Sequence, residues 1–300
     1  MASSDDEVLY EFRFFRVLKS GEIQFSRPPP TATVPPVSDP TAAVLSKDVT
    51  ISDLITARIF IPRSATTTTT KLPLLLYFHG GGFSIESPFS PNYHAYVESL
   101  VADATVVAVS VHYGLFPSRP IPACYEDAVA ALNWAVGDHK DPWLAHHVDF
   151  NRIFVGGDSA GGNISYTVLS HVGRGSHHAG TYRIVGGIFV HPYFGGTGDD
   201  QMWLYMSKGN NEGLDDPRLK PTDEDLKQLG CERAIVFVAE KDHLMKVGIE
   251  YVERLRGSGW NGNVELVVNE GREHCFHLFS PEDPVAVENQ RRIVEFINRG

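Results

Sequence analysis

The sequence predicts an α/β fold in which a mostly parallel, doubly wound sheet is covered on both faces by helices. Three features carry that expectation. Short continuous apolar runs bounded by Gly, Pro, Asp or Asn recur from Leu72 onward, as strands buried on both faces require. Helical patterns alternate with these runs, the signature of successive βαβ units. Glycine-rich turns follow two of the runs directly, at the edge where such sheets bind ligands.

In chain order, the first sixty residues read as irregular structure around one short hairpin, RVLKSGEIQF, with its turn at Ser20-Gly21. Residues 27–40 hold too much proline for a helix or a central strand. Thr66 to Thr70, after the strand-like ARIFIP, read as an exposed loop. The strands are LPLLLYF, TVVAVSV, RIFVGG, RIVGGIFV and AIVFVAE, with VELVVNE as the last. Between them YHAYVESLVADA, CYEDAVAALNWAVGDH, SAGGNISYTVLSHV and MKVGIEYVERLRGSG read as helices, and VAVENQRRIVEFIN as a closing amphipathic helix. Roughly residues 194–230 break the rhythm with Gly, Asp and Asn around Met202-Trp203-Leu204-Tyr205-Met206. So long an excursion over the active edge predicts a lid, with a packed surface helix as the alternative. On the lid reading, Trp203 shapes substrate choice more than stability.

Composition narrows the function. The 300 residues carry 26 Lys and Arg against 37 Asp and Glu, a formal charge of −11, which argues against nucleic acid as a partner. No apolar run approaches the roughly 20 residues a bilayer-spanning helix needs, and the acidic N-terminus lacks a signal-peptide layout. Cys124, Cys231 and Cys275 are odd in number and widely spaced, which fits free thiols in a reducing, cytoplasmic setting. The histidine pairs lack a clustered carboxylate or thiolate set, so no metal is expected, and nothing calls for a cofactor. The expected partner is a small molecule, and the chain a monomer or homodimer.

The chemistry concentrates in two turns. Gly157-Asp158-Ser159-Ala160-Gly161 fits G-x-S-x-G directly after a strand and before a helix, the context that motif requires. The glycines permit a turn tight enough to expose the Ser159 hydroxyl at a helix N-terminus, where developing negative charge is favoured. The plainer alternative is a serine that only caps the helix. His79-Gly80-Gly81-Gly82 closes an earlier strand, and its glycines let backbone N–H groups turn inward. Two such donors with the N–H of Ala160 would form an oxyanion hole. A nucleophilic serine needs a base, and the base an orienting acid. Asp242 follows the strand AIVFVAE, and His274 and His277 follow VELVVNE, both at the carboxyl edge. Position alone separates neither His274 from His277 nor excludes His243 or Glu240. Phe83, Trp203 and Tyr205 are candidates for an apolar substrate pocket.

On HGGGF, GDSAGGN, VAEKDHL, YVERLRGSGW and EGREHCFHLF, the chain resembles the plant carboxylesterase family, a branch of the hormone-sensitive-lipase-like α/β hydrolases. The resemblance runs over essentially the whole chain and implies an α/β-hydrolase fold in one domain, 1–300. Within it, 1–45 would be an N-terminal cap segment and about 194–230 a lid. It implies Ser159, Asp242 and His274 as the triad, choosing His274 over His277, and Gly81, Gly82 and Ala160 as oxyanion donors. The function it implies is hydrolysis of small to medium carboxylic esters of plant specialised metabolites. Relatives such as the hydroxyisoflavanone dehydratases and gibberellin receptors make a lyase or cyclase the alternative and a receptor a third. One block departs from the family: in VHYGLFPSRPIPACYED, His112, Gly114, Phe116 and Ser118 replace Asp, Arg, Ala and Glu, which reads as repacking beside the site.

Overall fold

The structure, a computed structural model, describes residues 7–26, 31–138, 141–175, 182–208 and 212–299. The chain opens with a small antiparallel sheet of β1 (Val8–Glu11), β2 (Phe15–Leu18) and β3 (Ile23–Phe25). The β2–β3 hairpin turns where expected, with Gly21 at φ 85°. Of the proline-rich stretch, residues 27–30 lie outside the described residues, and 31–39 carry neither helix nor strand.

The expectation of an irregular first sixty residues fails from Val44 onward. β4 (Val44–Ser52) and β5 (Ile55–Pro62) form an antiparallel hairpin at one edge of the main sheet. β4 is half exposed, so Ser46, Lys47, Asp48 and Thr50 interrupt its apolar residues and no continuous run forms. Thr66–Thr70 are exposed, as expected.

The rest alternates strand and helix: β6 (Leu72–Phe78), α1 (Pro91–Ala104), β7 (Val107–His112), α2 (Ala123–Val136), the short α3 (Pro142–His147), β8 (Val148–Asp158), α4 (Ala160–Arg174) and β9 (Ile184–Val190). Then come α5 (Asp200–Met206), α6 (Asp223–Lys227), β10 (Arg233–Ala239), α7 (Met245–Gly257), β11 (Asn263–Asn269) and α8 (Pro284–Asn298). The eight-stranded sheet runs β11-β10-β9-β8-β6-β7-β5-β4, with β6 to β11 parallel and β5 alone opposed to its neighbours. Strand order reverses at β6, which has β7 on one side and β8 on the other. Ligands bind at such a switch point, beyond the strand carboxyl ends.

Alternation along β6 divides the core. Leu74, Leu76 and Phe78 face the layer of α2, α4 and α7, while Leu75 and Tyr77 face the layer of α1 and α8. Phe78 pairs with Gly157, so the turns after β6 and β8 begin side by side.

Candidate active site

Ser159 sits between β8 and α4 at φ 52°, ψ −118°, a left-handed backbone that a non-glycine residue adopts only when its surroundings dictate it. The cause lies in its glycines. A Cβ on Gly157 would stand 2.3 Å from the Phe78 carbonyl oxygen, and one on Gly161 2.0 Å from the same atom. Only bare backbone lets α4 start this close to β6. The turn is tied down by the Ser159 N–H donating to Val190 O at 2.9 Å and by Tyr193 N–H donating to Ser159 O at 3.0 Å.

The turn after β6 is held equally firmly. Gly80 N–H donates to Tyr93 Oη at 2.9 Å, and Tyr113 Oη donates to His79 O at 2.6 Å. Gly81 and Gly82 have φ 96° and 57°, which bends the chain back so that Gly81 O accepts from Ile85 N–H at 3.0 Å. Among the described residues, the N–H groups of Gly81 and Gly82 donate to no protein acceptor. Ala160 is the first residue of α4, where no intrahelical acceptor exists for its N–H.

The loops after β10 and β11 supply the other side. His274 Nε2 is 2.8 Å from Ser159 Oγ, and His274 Nδ1 is 2.6 Å from Asp242 Oδ2. Asp242 Oδ1 accepts the Leu244 N–H at 2.9 Å and faces His243 Nδ1 at 3.1 Å. Burial works to raise the Asp242 carboxyl, but the bonds from His243 and His274 outweigh it and hold the group well below the usual carboxylate range. The arrangement can therefore pass the Ser159 proton to His274 while a permanent carboxylate orients the ring.

The structure separates the remaining candidates. His277 is buried behind the site with its ring edge on Tyr96, centroids 4.8 Å apart, and burial pushes it well below the ordinary histidine range. Glu240 accepts the Gly271 N–H at 2.6 Å, bracing the His274 loop from its exposed side. His243 faces Asp242 and Asp199, and the ring at Ser159 Oγ is that of His274. His191, His274 and Cys275 place donor atoms within 4.8 Å of one another, a spacing that could suit a metal. The His191 ring is already engaged at both ends, accepting the Cys275 N–H at 2.9 Å and donating to Asn269 at 3.2 Å. Burial drives the Cys275 thiol far up, so it offers no thiolate.

Two spaces meet at Ser159. A cavity of about 30 Å³ is lined by Phe14, Gly82, Phe83, Met202, Trp203 and Leu244 among others. A wider groove of about 640 Å³ extends along Gly81, Ile85, Glu86, Asn92 and Phe279. Phe83 and Trp203 thus line the small cavity. Tyr205 packs instead among Tyr10, Phe12, Phe15 and Phe116, with centroids 5.4 to 6.1 Å away, and is not part of either lining. Trp203 is 0% exposed and donates its Nε1–H to Tyr125 Oη at 2.9 Å. A ring buried this fully contributes to stability as well as to the cavity wall, so the expected dominance of substrate choice over stability is open to test at Trp203.

Two further contributors were given no role by the sequence. Asp158 is buried and accepts Tyr77 Oη at 2.8 Å and Tyr93 Oη at 2.7 Å. In the divergent block, Arg119 pairs with Asp127 and fills the space over Gly114, where a Cβ would lie 2.8 Å from its guanidinium. The block repacks, as read, around the Arg119–Asp127 ion pair.

Comparison with known proteins places the fold and the family. A family model described as the alpha/beta hydrolase fold matches residues 75–278. "Probable carboxylesterase 5" of Arabidopsis thaliana is 38% identical over 98% of this chain and 99% of its own length. "Tuliposide A-converting enzyme 1, chloroplastic" of Tulipa gesneriana is 38% identical over 98% of this chain and 79% of its own. Among solved structures, the hyperthermophilic esterase of the archaeon Pyrobaculum calidifontis superposes with a TM-score of 0.69 at 26% identity, covering 84% of each chain. A fungal esterase of Rhizomucor miehei, at 23% identity, reaches 0.71 over 85% of this chain and 83% of its own, and shares the fold. The chain belongs to the α/β hydrolases, in the branch that contains the plant carboxylesterases.

Proposed function

We propose that this protein is a serine carboxylesterase acting on small to medium carboxylic esters of plant specialised metabolites. One observation carries the reading: the unbroken line from Ser159 Oγ through His274 to Asp242, with links of 2.8 and 2.6 Å, drawn from a strained turn at the switch point. Ser159 attacks the ester carbonyl as His274 Nε2 takes its proton. The N–H groups of Gly81, Gly82 and Ala160 hold the oxyanion. His274 returns the proton to the leaving alcohol, then draws one from the water that frees the acyl group. The small cavity beside Phe83 and Trp203 takes a short acyl chain, and the wider groove takes the alcohol. Residues 1–45 and about 194–230 act as cap and lid. Their support is the wall that Arg13, Phe14, Met202 and Trp203 form around the small cavity. The three buried free cysteines fit a reducing, cytoplasmic setting.

The test is hydrolysis of a p-nitrophenyl ester series by the wild type and variants. Turnover should peak at short acyl chains and fall by orders of magnitude in Ser159→Ala and His274→Ala. His277→Ala should cost far less. Equal loss at His277 would overturn the assignment of the base.

A further inference from the structure

The line of contacts at Ser159 does not stop at Asp242. His243 Nδ1 lies 3.1 Å from Asp242 Oδ1, and its Nε2 lies 2.7 Å from Asp199 Oδ2. Asp199 in turn accepts Arg13 Nε–H at 3.1 Å and 3.2 Å on its two oxygens. Charges alternate along the row: guanidinium, carboxylate, imidazole, carboxylate, then the His274 ring. The members come from separate parts of the chain. Arg13 lies between β1 and β2, Asp199 precedes α5, and Asp242 and His243 follow β10.

A neutral imidazole has one N–H and can donate to only one of two flanking carboxylates. The hydrogen bond to Asp199 and the 3.1 Å ion pair with Asp242 together therefore require the doubly protonated ring. The two carboxylates supply that condition, pushing His243 up to about 9 despite its partial burial. The other charged groups facing it are Arg13, which opposes protonation, and the His274 ring at 5.9 Å between centroids. Lys246 and Glu250 at the start of α7 border the same surface and pair with each other at 3.5 Å.

We propose that His243 is a positioning residue for ester hydrolysis, clamping the triad carboxylate through Oδ1 and tying it to the pocket roof through Asp199 and Arg13. The inference rests on the serine-hydrolase reading above. With Oδ1 held by His243 and the Leu244 N–H, the carboxylate cannot rotate, and Oδ2 alone is left for His274. Docking of the N-terminal segment and alignment of the acid become one event. Above the His243 pKa the ring keeps a single N–H and releases one carboxylate, so the clamp opens.

The experiment compares His243→Leu, His243→Gln, Asp199→Asn and Lys246→Ala on p-nitrophenyl acetate across pH 6 to 10, with thermal unfolding to confirm folding. His243→Leu should lower kcat by about tenfold to a hundredfold, less than the ~10⁴ expected for losing the acid itself, with KM little changed. His243→Gln, which keeps a donor, should recover part of that loss. The wild-type alkaline limb near pH 9 should vanish in both. Asp199→Asn should lower kcat and add less than its full effect to His243→Gln. Lys246→Ala, outside the row, should match the wild type. Folded His243 variants with kcat within twofold of wild type and an unchanged alkaline limb would overturn the proposal. A fluorophosphonate probe separates this from failure of the underlying reading. Stoichiometric labelling of Ser159 at equal rates in wild type and His243→Leu sinks the clamp and leaves the esterase standing. No labelling of Ser159 in wild type sinks both.

Discussion

Replacing Asp242 with asparagine should disarm the site without disturbing its shape. In the native site, Oδ1 accepts the Leu244 N–H at 2.9 Å and meets the His243 N–H at 3.1 Å, so the amide oxygen of the introduced asparagine must take that place. Its NH₂ then falls where Oδ2 was, 2.6 Å from His274 Nδ1. The reverse orientation would set NH₂ against two donors. With a donor facing it, His274 Nδ1 gives up its proton and accepts, which leaves the remaining proton on Nε2, pointed at Ser159 Oγ. A ring in that tautomer cannot receive the serine proton. The expected loss in kcat is about 10⁴-fold, roughly 5 kcal/mol of transition-state stabilisation. The assay is kcat and KM on p-nitrophenyl acetate at pH 8, with circular dichroism to confirm the fold. A folded Asp242→Asn enzyme with kcat within tenfold of wild type refutes the reasoning.

Three further outcomes follow from the same structure. Gly82→Ala directs its Cβ at the Phe14 ring, 2.4 Å away, whereas Gly161→Ala meets the Phe78 backbone carbonyl at 2.0 Å. The first should fold and lose hydrolysis, and the second should fail to give soluble protein; expression and kcat/KM together check both. Trp203→Ala removes a fully buried ring and should lower unfolding stability by about 3–5 kcal/mol in urea titration, alongside any change in acyl preference. Burial pushes His79 down to about 3 and His191 to about 4, so the folded state stays neutral there while the unfolded chain protonates near 6.5. Their contribution is whole above pH 6.5 and is lost as pH falls toward 4. Tm should decline steadily over that window, and a Tm flat from pH 7 to 4.5 would contradict it.

The legibility of this chain divides along the sheet. Strands β6 to β10 announced themselves because both faces are buried, which forces uninterrupted apolar runs. Ser159 was legible because the backbone crowding at Gly157 and Gly161 admits no other residue, so geometry is written into composition. β4 was not, since an edge strand needs only alternate apolar residues. His274 could be chosen over His277 only through family resemblance. The difference between them is which ring reaches Ser159 and which turns into the core, and loop spacing does not encode that. The row of Arg13, Asp199 and His243 was not legible as a row, although His243 stood among the candidate bases. Its members are ordinary charged residues whose meeting depends on folding, and no local pattern marks a pair so distant.

The distance along the chain between Arg13 and Asp199, 186 residues, bears on how the enzyme comes into being. During synthesis the N-terminal strands leave the ribosome well before the segment that receives them exists. Ser159 likewise waits for His274, 115 residues later. Contacts this non-local form late, because chain entropy must be overcome before they stabilise anything. No nascent fragment can hydrolyse an ester, and on refolding from denaturant the return of turnover should trail the return of the sheet. Activity in this protein is a report that segments as distant as Arg13 and His274 have found their places.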